Sequence, residues 1–276
     1  MKRRLLSLLL TAGILATSLS ITAFADAEWT GSEWNGQSTV FQINREPGRT
    51  TFYPYDSEQS ALTREKESSP YYQLLNGTWK FSWASNPAGR IRAADPNVVN
   101  PDYDDQAWDD IKVPKSWDTV LTEAKDWKYN PPIYTNSTYP WTGVESPSWR
   151  NAEAPTQFNP VGTYRREFTL KPEWAGREVF LTFEGVESAF YVWVNGHQFG
   201  YSEDSFTRKE FNITNYLNDG RNVIVVEVYR WSDGSWMEDQ DFIRLSGIFR
   251  DVYLTSKDQV EIRDFTVNTD LDDEYV

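Results

Sequence analysis

The sequence predicts an all-β protein organised as a jelly-roll β-sandwich, and three observations carry that prediction. Residues 74–83, LLNGTWKFSW, set Trp79, Phe81 and Trp83 against Lys80 and Ser82, the period of two that marks a half-buried strand. Asn195-Gly196 stands between two apolar runs and is the strongest short signal for a β-hairpin. From Gly162 onward, strand-like segments return at short spacing with turn residues between them, as they do in sandwiches.

Taken in order, the elements begin with a leader. Residues 1–27 join Lys2, Arg3 and Arg4 to an apolar run and end in small residues, with Ala23-Phe24-Ala25 as an A-x-A cleavage site. That pattern predicts a secretory signal peptide and hence a secreted protein; a retained membrane anchor is the alternative. Residues 28–70 have no sustained period and read as an extended arm with one helical turn near residues 57–67. Phe52, Tyr53 and Tyr55 favour an arm docked on another surface. Residues 71–257 form the sandwich. Within them, DDIKVPKSWDTV leads into a short extended piece, and residues 126–160 are a long irregular region with six prolines and many aromatic residues. A loop of that length inside a compact domain is expected to be functional. TYRREFTL is a strand, REVFLTFEGVESAFYVWVNGHQFGYSED gives two strands and the Asn195-Gly196 hairpin, RNVIVVEVYR is a long strand after an Asp219-Gly220 turn, and DVYLTS closes the set. Residues 258–276 carry one further alternating segment, 260–271. It reads as the first strand of a second sandwich, in a chain that looks truncated, because a lone strand cannot bury its apolar face.

Composition narrows the function. The formal net charge is −14, and it becomes more negative without the leader's three cations. Such a chain repels phosphate backbones and anionic membrane surfaces, so neither nucleic acid nor membrane is an expected partner. There is no cysteine, which removes disulfides, catalytic thiols and thiolate metal sites, and His197 is the single histidine, which excludes a multi-histidine zinc site. Following the Asn195-Gly196 turn with no nucleophile motif nearby, His197 reads as an exposed hairpin residue.

The chemistry-bearing stretch is WSDGSWMEDQDFIRLSGIFRDV, residues 231–252. It sets Asp233, Glu238, Asp239 and Asp241 among Trp231, Trp236 and Phe242, with Arg244 and Arg250 following. Its acids could ligate a hard cation or accept hydrogen bonds from a polyol; the plain alternative is a turn salt-bridged to Arg244 and Arg250. Asn136, in YTNSTYP, could exchange hydrogen bonds with sugar hydroxyls between the stacking surfaces of Tyr134 and Tyr139, or could satisfy only its own loop. Asn136-Ser137-Thr138 also matches a glycosylation acceptor, a short and weak pattern.

In this order, LLNGTWKF, PPIYTNSTYP, NPVGTYRREF, GVESAFYVWVNGHQFGYSEDS, RWSDGSWMEDQDFIRLSGIFRDVYL and IRDFTVNT closely resemble the amino-terminal part of the bacterial β-galactosidases of glycoside hydrolase family 2. The resemblance implies a jelly-roll sugar-binding domain, then an immunoglobulin-like sandwich beginning near Gln259, then a catalytic (β/α)8 barrel with two glutamates that lies outside this sequence. It implies that Asn136 and Asp241 contact galactose, that Asp241 helps hold a sodium ion completed by barrel ligands, and that magnesium binds in the barrel. It implies a β-galactoside substrate, the rest of a parent polypeptide as partner, and a homo-oligomer supported by the arm. Departures are the leader and the segment 140–160 with its two tryptophans. A free carbohydrate-binding module and another family 2 glycosidase, a β-glucuronidase or β-mannosidase, are the alternatives.

Overall fold

A computed structural model describes residues 30–238 and 241–274. The expected leader lies outside the described residues, as do Asp239 and Gln240. The body that begins at Gly31 contains β1 (Gln42–Ile43), β2 (Tyr72–Leu74), β3 (Gly77–Ala84), β4 (Asp109–Val113), β5 (Ile133–Thr135), β6 (Val161–Thr169), β7 (Glu178–Phe183), β8 (Val186–Glu187), β9 (Ala189–Val194), β10 (His197–Ser202), β11 (Lys209–Asn212), β12 (Arg221–Tyr229), β13 (Phe242–Arg244), β14 (Gly247–Ile248) and β15 (Val252–Lys257). A seven-stranded sheet runs β1-β10-β9-β12-β6-β3-β4 and a four-stranded sheet runs β11-β7-β15-β2. Strands distant in sequence sit side by side, β6 beside β12 and β7 beside β15, both antiparallel. The expected all-β jelly-roll sandwich is the fold observed.

The core lies between the two sheets and is closed by Trp79, Phe81, Tyr164, Phe183, Phe190 and Phe211. Strand β12 shows why its sequence reads as a continuous apolar run. Ile224, Val226 and Val228 point into the core, and the alternate residues are buried as well. The outer face is covered by the arm and the loop after β3: Trp34 stacks on Tyr229 at 4.8 Å, and Arg90 pairs with Glu227 at 2.8 Å. A strand covered on both faces loses its polar alternation.

The hairpin at Asn195-Gly196 joins β9 to β10, with both residues at positive φ (49° and 89°), the left-handed pair a tight hairpin turn demands. His197 is exposed, as expected. The arm does dock. Its β1 adds an edge strand to β10, and its helical turn α1 (Glu58–Leu62) is capped by Ser57. In the alternating segment 260–271 no strand is assigned, and Val260, Ile262, Phe265, Val267 and Leu271 are exposed. A ladder needs a neighbouring strand, and the ties of this segment run through side chains, among them Arg263 to Glu46 at 3.2 Å, Phe52 against Phe265 at 5.2 Å and Lys257 to Glu261 at 3.2 Å.

Candidate functional site

The long region 126–160 is ordered by its own aromatic residues. Trp141 is buried, stacked on Tyr139 at 5.2 Å and met edge-on by Trp236 at 5.0 Å and Trp231 at 5.5 Å. Glu145 closes the far end of the loop, its carboxylate accepting the backbone N–H groups of Thr156, Gln157 and Phe158 at 2.8–3.0 Å. Of the two tryptophans in residues 140–160, Trp141 is a packing residue and Trp149 is exposed.

This scaffold holds a two-stranded ribbon. Strand β5 pairs antiparallel with β13 in the register Ile133↔Arg244, Tyr134↔Ile243, Thr135↔Phe242. Continuing the register by one residue sets Asn136 opposite Asp241. Side chains alternate along a strand, so Tyr134, Asn136, Asp241 and Ile243 share one face, and all four are exposed. Thr135 and Phe242 take the other, where Phe242 meets Phe206 at 5.9 Å and lies under the Arg244 guanidinium at 4.4 Å. The two residues singled out in sequence, 105 positions apart by their numbers, are therefore neighbours.

The hydroxyl of Tyr134 links them. It donates to Asp241 Oδ1 at 2.9 Å, and the side chain of Asn136 reaches the same hydroxyl. The hydrogen bond and the carboxylate's charge raise the Tyr134 pKa, which keeps the phenol a donor. Sequence reading took Tyr134 as a stacking surface and missed this role. The period-two alternation shared by YTN and DFI is the signal that could have found it.

The other described acids of the stretch have separate employments. Glu238 accepts from Ser205 N at 2.6 Å and Ser205 Oγ at 2.7 Å. Asp233 accepts from Gln37 N at 2.8 Å and is hydrogen-bonded to Glu203. Burial and the charge of Asp233 push the Glu203 pKa up, so Glu203 keeps a proton and donates it to Asp233. Arg244 donates to the Glu238 carbonyl at 2.5 Å and Arg250 to the Phe206 carbonyl at 2.8 Å. The three described acids do not form one cluster: burial divides them, and Asp241 is the one at the surface.

Behind the ribbon, a narrow internal space is lined by Trp141, Glu187, Arg230, Trp231 and Arg244. Arg230 and Asp118 form a fully buried ion pair at 3.2 Å. Burial dominates both neighbouring acids, raising Asp118 to about 6 and Glu187 to about 8. No group of three acidic or histidine side chains that could hold a metal exists among the described residues. The site offers one exposed carboxylate, one amide and one phenol on a rigid ribbon, a set suited to sugar hydroxyls or to part of a hard-cation shell.

Residues 72–258 match the family of glycosyl hydrolases family 2, sugar binding domain. Among curated relatives, a beta-galactosidase of Priestia megaterium (strain DSM 319 / IMG 1521) is 51% identical over 243 residues, covering 88% of this chain and 22% of that protein. The beta-galactosidase large subunit of Lactobacillus helveticus is 35% identical over 252 residues, covering 88% of this chain and 38% of that protein. Among solved structures, a beta-glucuronidase of an uncultured Clostridium sp. superposes with a TM-score of 0.54 at 19% identity, over 82% of this chain and 34% of that one, a likeness of fold. The chain thus spans about a fifth to two fifths of the length of these curated relatives.

Proposed function

The chain belongs to glycosyl hydrolase family 2, as its sugar-binding domain, and from that premise we propose that it supplies the galactose-facing wall of a secreted β-galactosidase acting on terminal β-galactosides such as lactose. One observation carries the reading: Asn136, Tyr134 and Asp241 stand together on the exposed face of one ribbon. The names and identities of the curated relatives support the choice of galactoside.

In this reading Asn136 and Asp241 hydrogen-bond the sugar hydroxyls. Asp241 also offers one hard oxygen to a sodium ion, whose remaining ligands come from outside this chain. Retaining hydrolysis needs two carboxyl groups about 5–5.5 Å apart across the scissile bond. That pair, and the magnesium expected near it, belong to a barrel carried elsewhere in the enzyme. Residues 258–276 open an immunoglobulin-like domain and become a strand only when a neighbouring strand pairs with them. The leader directs export, and the assembled enzyme is a homo-oligomer.

The test is turnover of a chromogenic β-galactoside by the 276-residue chain and by the same chain continued through its downstream coding region. Turnover is expected only in the longer protein, and Asp241→Asn there is expected to lower kcat/KM by about 100-fold, the scale set by losing a charge-assisted contact and the alignment it provides. Turnover by the short chain would move the chemistry onto its own acids and overturn this division of roles.

A further inference from the structure

We propose that Tyr134 is a positioning residue for the sugar site, its hydroxyl holding the Asp241 carboxylate in the one orientation that leaves the second oxygen for ligand; this rests on the function proposed above. The backbone around Asp241 is anchored on both sides. Glu238 is held through Ser205, and Arg244 ties the Glu238 carbonyl to the ring of Phe242. The carboxylate itself has no such support from packing, because Asp241 is exposed. An exposed aspartate samples several rotamers, and each non-productive one lowers the fraction of sites ready to bind. The 2.9 Å bond from Tyr134 removes that freedom by engaging Oδ1.

The ribbon explains why a tyrosine is needed at this position. Tyr134 faces Ile243 directly, so Asp241 lies on the diagonal, where only a long side chain reaches across. The same hydroxyl takes the Asn136 side chain. The bond that orients a ligand-facing group is the one to Asp241. Phenylalanine would keep the ring and any stacking on a sugar face while removing this bond.

The experiment uses the full-length enzyme containing this chain, with Tyr134→Phe, Asp241→Asn and the double variant. Hydrolysis kinetics are read together with calorimetric binding of a non-hydrolysable thiogalactoside and with thermal midpoints. Tyr134→Phe is expected to raise KM and the thiogalactoside Kd together by about tenfold, the scale of one hydrogen bond to a charged group, with kcat and the thermal midpoint little changed. The double variant is expected to be no worse than Asp241→Asn, since the hydroxyl acts only through that carboxylate. Unchanged kinetics in Tyr134→Phe beside a damaged Asp241→Asn would overturn the positioning role and leave the proposed function standing. Effects that multiply in the double variant would likewise overturn it, because Tyr134 would then act independently of Asp241. An undamaged Asp241→Asn would bring down the proposed function and this inference with it.

Discussion

Gly162 occupies a position that no larger residue fits. A Cβ there would lie 2.6 Å from Phe81 and 2.7 Å from Trp117, two rings buried in the sandwich core. Neither ring can retreat, since Phe81 packs on Tyr164 at 4.7 Å and Trp117 is fully buried. Gly162→Ala is therefore expected to cost about 1–3 kcal/mol, the usual penalty of overpacking, read as a lowered urea midpoint at constant slope; an unchanged midpoint would show that the rings can move. The site residues differ from this glycine in how far sequence discloses them. Asn136 and Asp241 stood out through the resemblance of the motifs around them, whereas elementary chemistry left Asn136 open between a ligand and a loop residue. Tyr134 donating to Asp241 could not be read at all. The two are 107 positions apart, and only the β5–β13 register brings them together.

Among the elements, the arm shows most clearly where sequence patterning stops. Its aromatic residues pointed to docking, and Tyr53 does sit against Tyr72 at 5.9 Å and Tyr253 at 6.0 Å. Two residues of edge strand are too short to leave a period, so β1 had no signature. The anchor of residues 33–37 is also invisible in sequence because its partners are distant: Trp34 on Tyr229, Glu33 accepting from Tyr191 at 2.6 Å, and Gln37 donating to Asp233 at 2.8 Å. The strands of the core were legible for the opposite reason, since each repeats its own period. Removing Trp34, the one large buried ring among the arm's described residues, should separate the two kinds of element. Trp34→Ala is expected to open residues 30–45 to limited proteolysis while β12 keeps its amide hydrogen-exchange protection, because the core face of β12 is closed by the sandwich itself. Equal protease resistance in wild type and variant would mean that β1 and the Glu33 contact suffice to hold the arm.

The whole molecule keeps several acids inside a strongly negative chain, and that sets how its stability depends on pH. Burial raises Glu187 from 4.5 to about 8 and Asp118 from 3.8 to about 6, and it also raises Glu203 and Glu238. A carboxyl raised by folding binds its proton more tightly in the folded state, so it does no harm below its unfolded pKa and erodes stability as pH climbs towards the folded value. The acids lowered by folding, Glu210 through Arg49 and Asp251 through Lys66 among them, work the other way. Their contribution is complete above the unfolded pKa and is lost only as pH falls below about 4.5. Lys209, lowered by burial from 10.5 to about 7, adds stability with rising pH only above 7. The window from pH 5 to 7 therefore belongs to the raised acids, and the thermal midpoint of the 276-residue chain is expected to fall across it. Growing surface repulsion in a chain of net charge −14 acts in the same direction. Glu187→Gln isolates the internal part, because it removes one titrating group and leaves the surface charge of the folded protein nearly as it was. The free-energy difference between variant and wild type is expected to shift in the variant's favour by about 1.4 kcal/mol per pH unit between 5 and 7, measured by urea denaturation at each pH. Two parallel stability curves would mean that Glu187 titrates alike in the folded and unfolded chain, and that the surface alone carries the pH dependence.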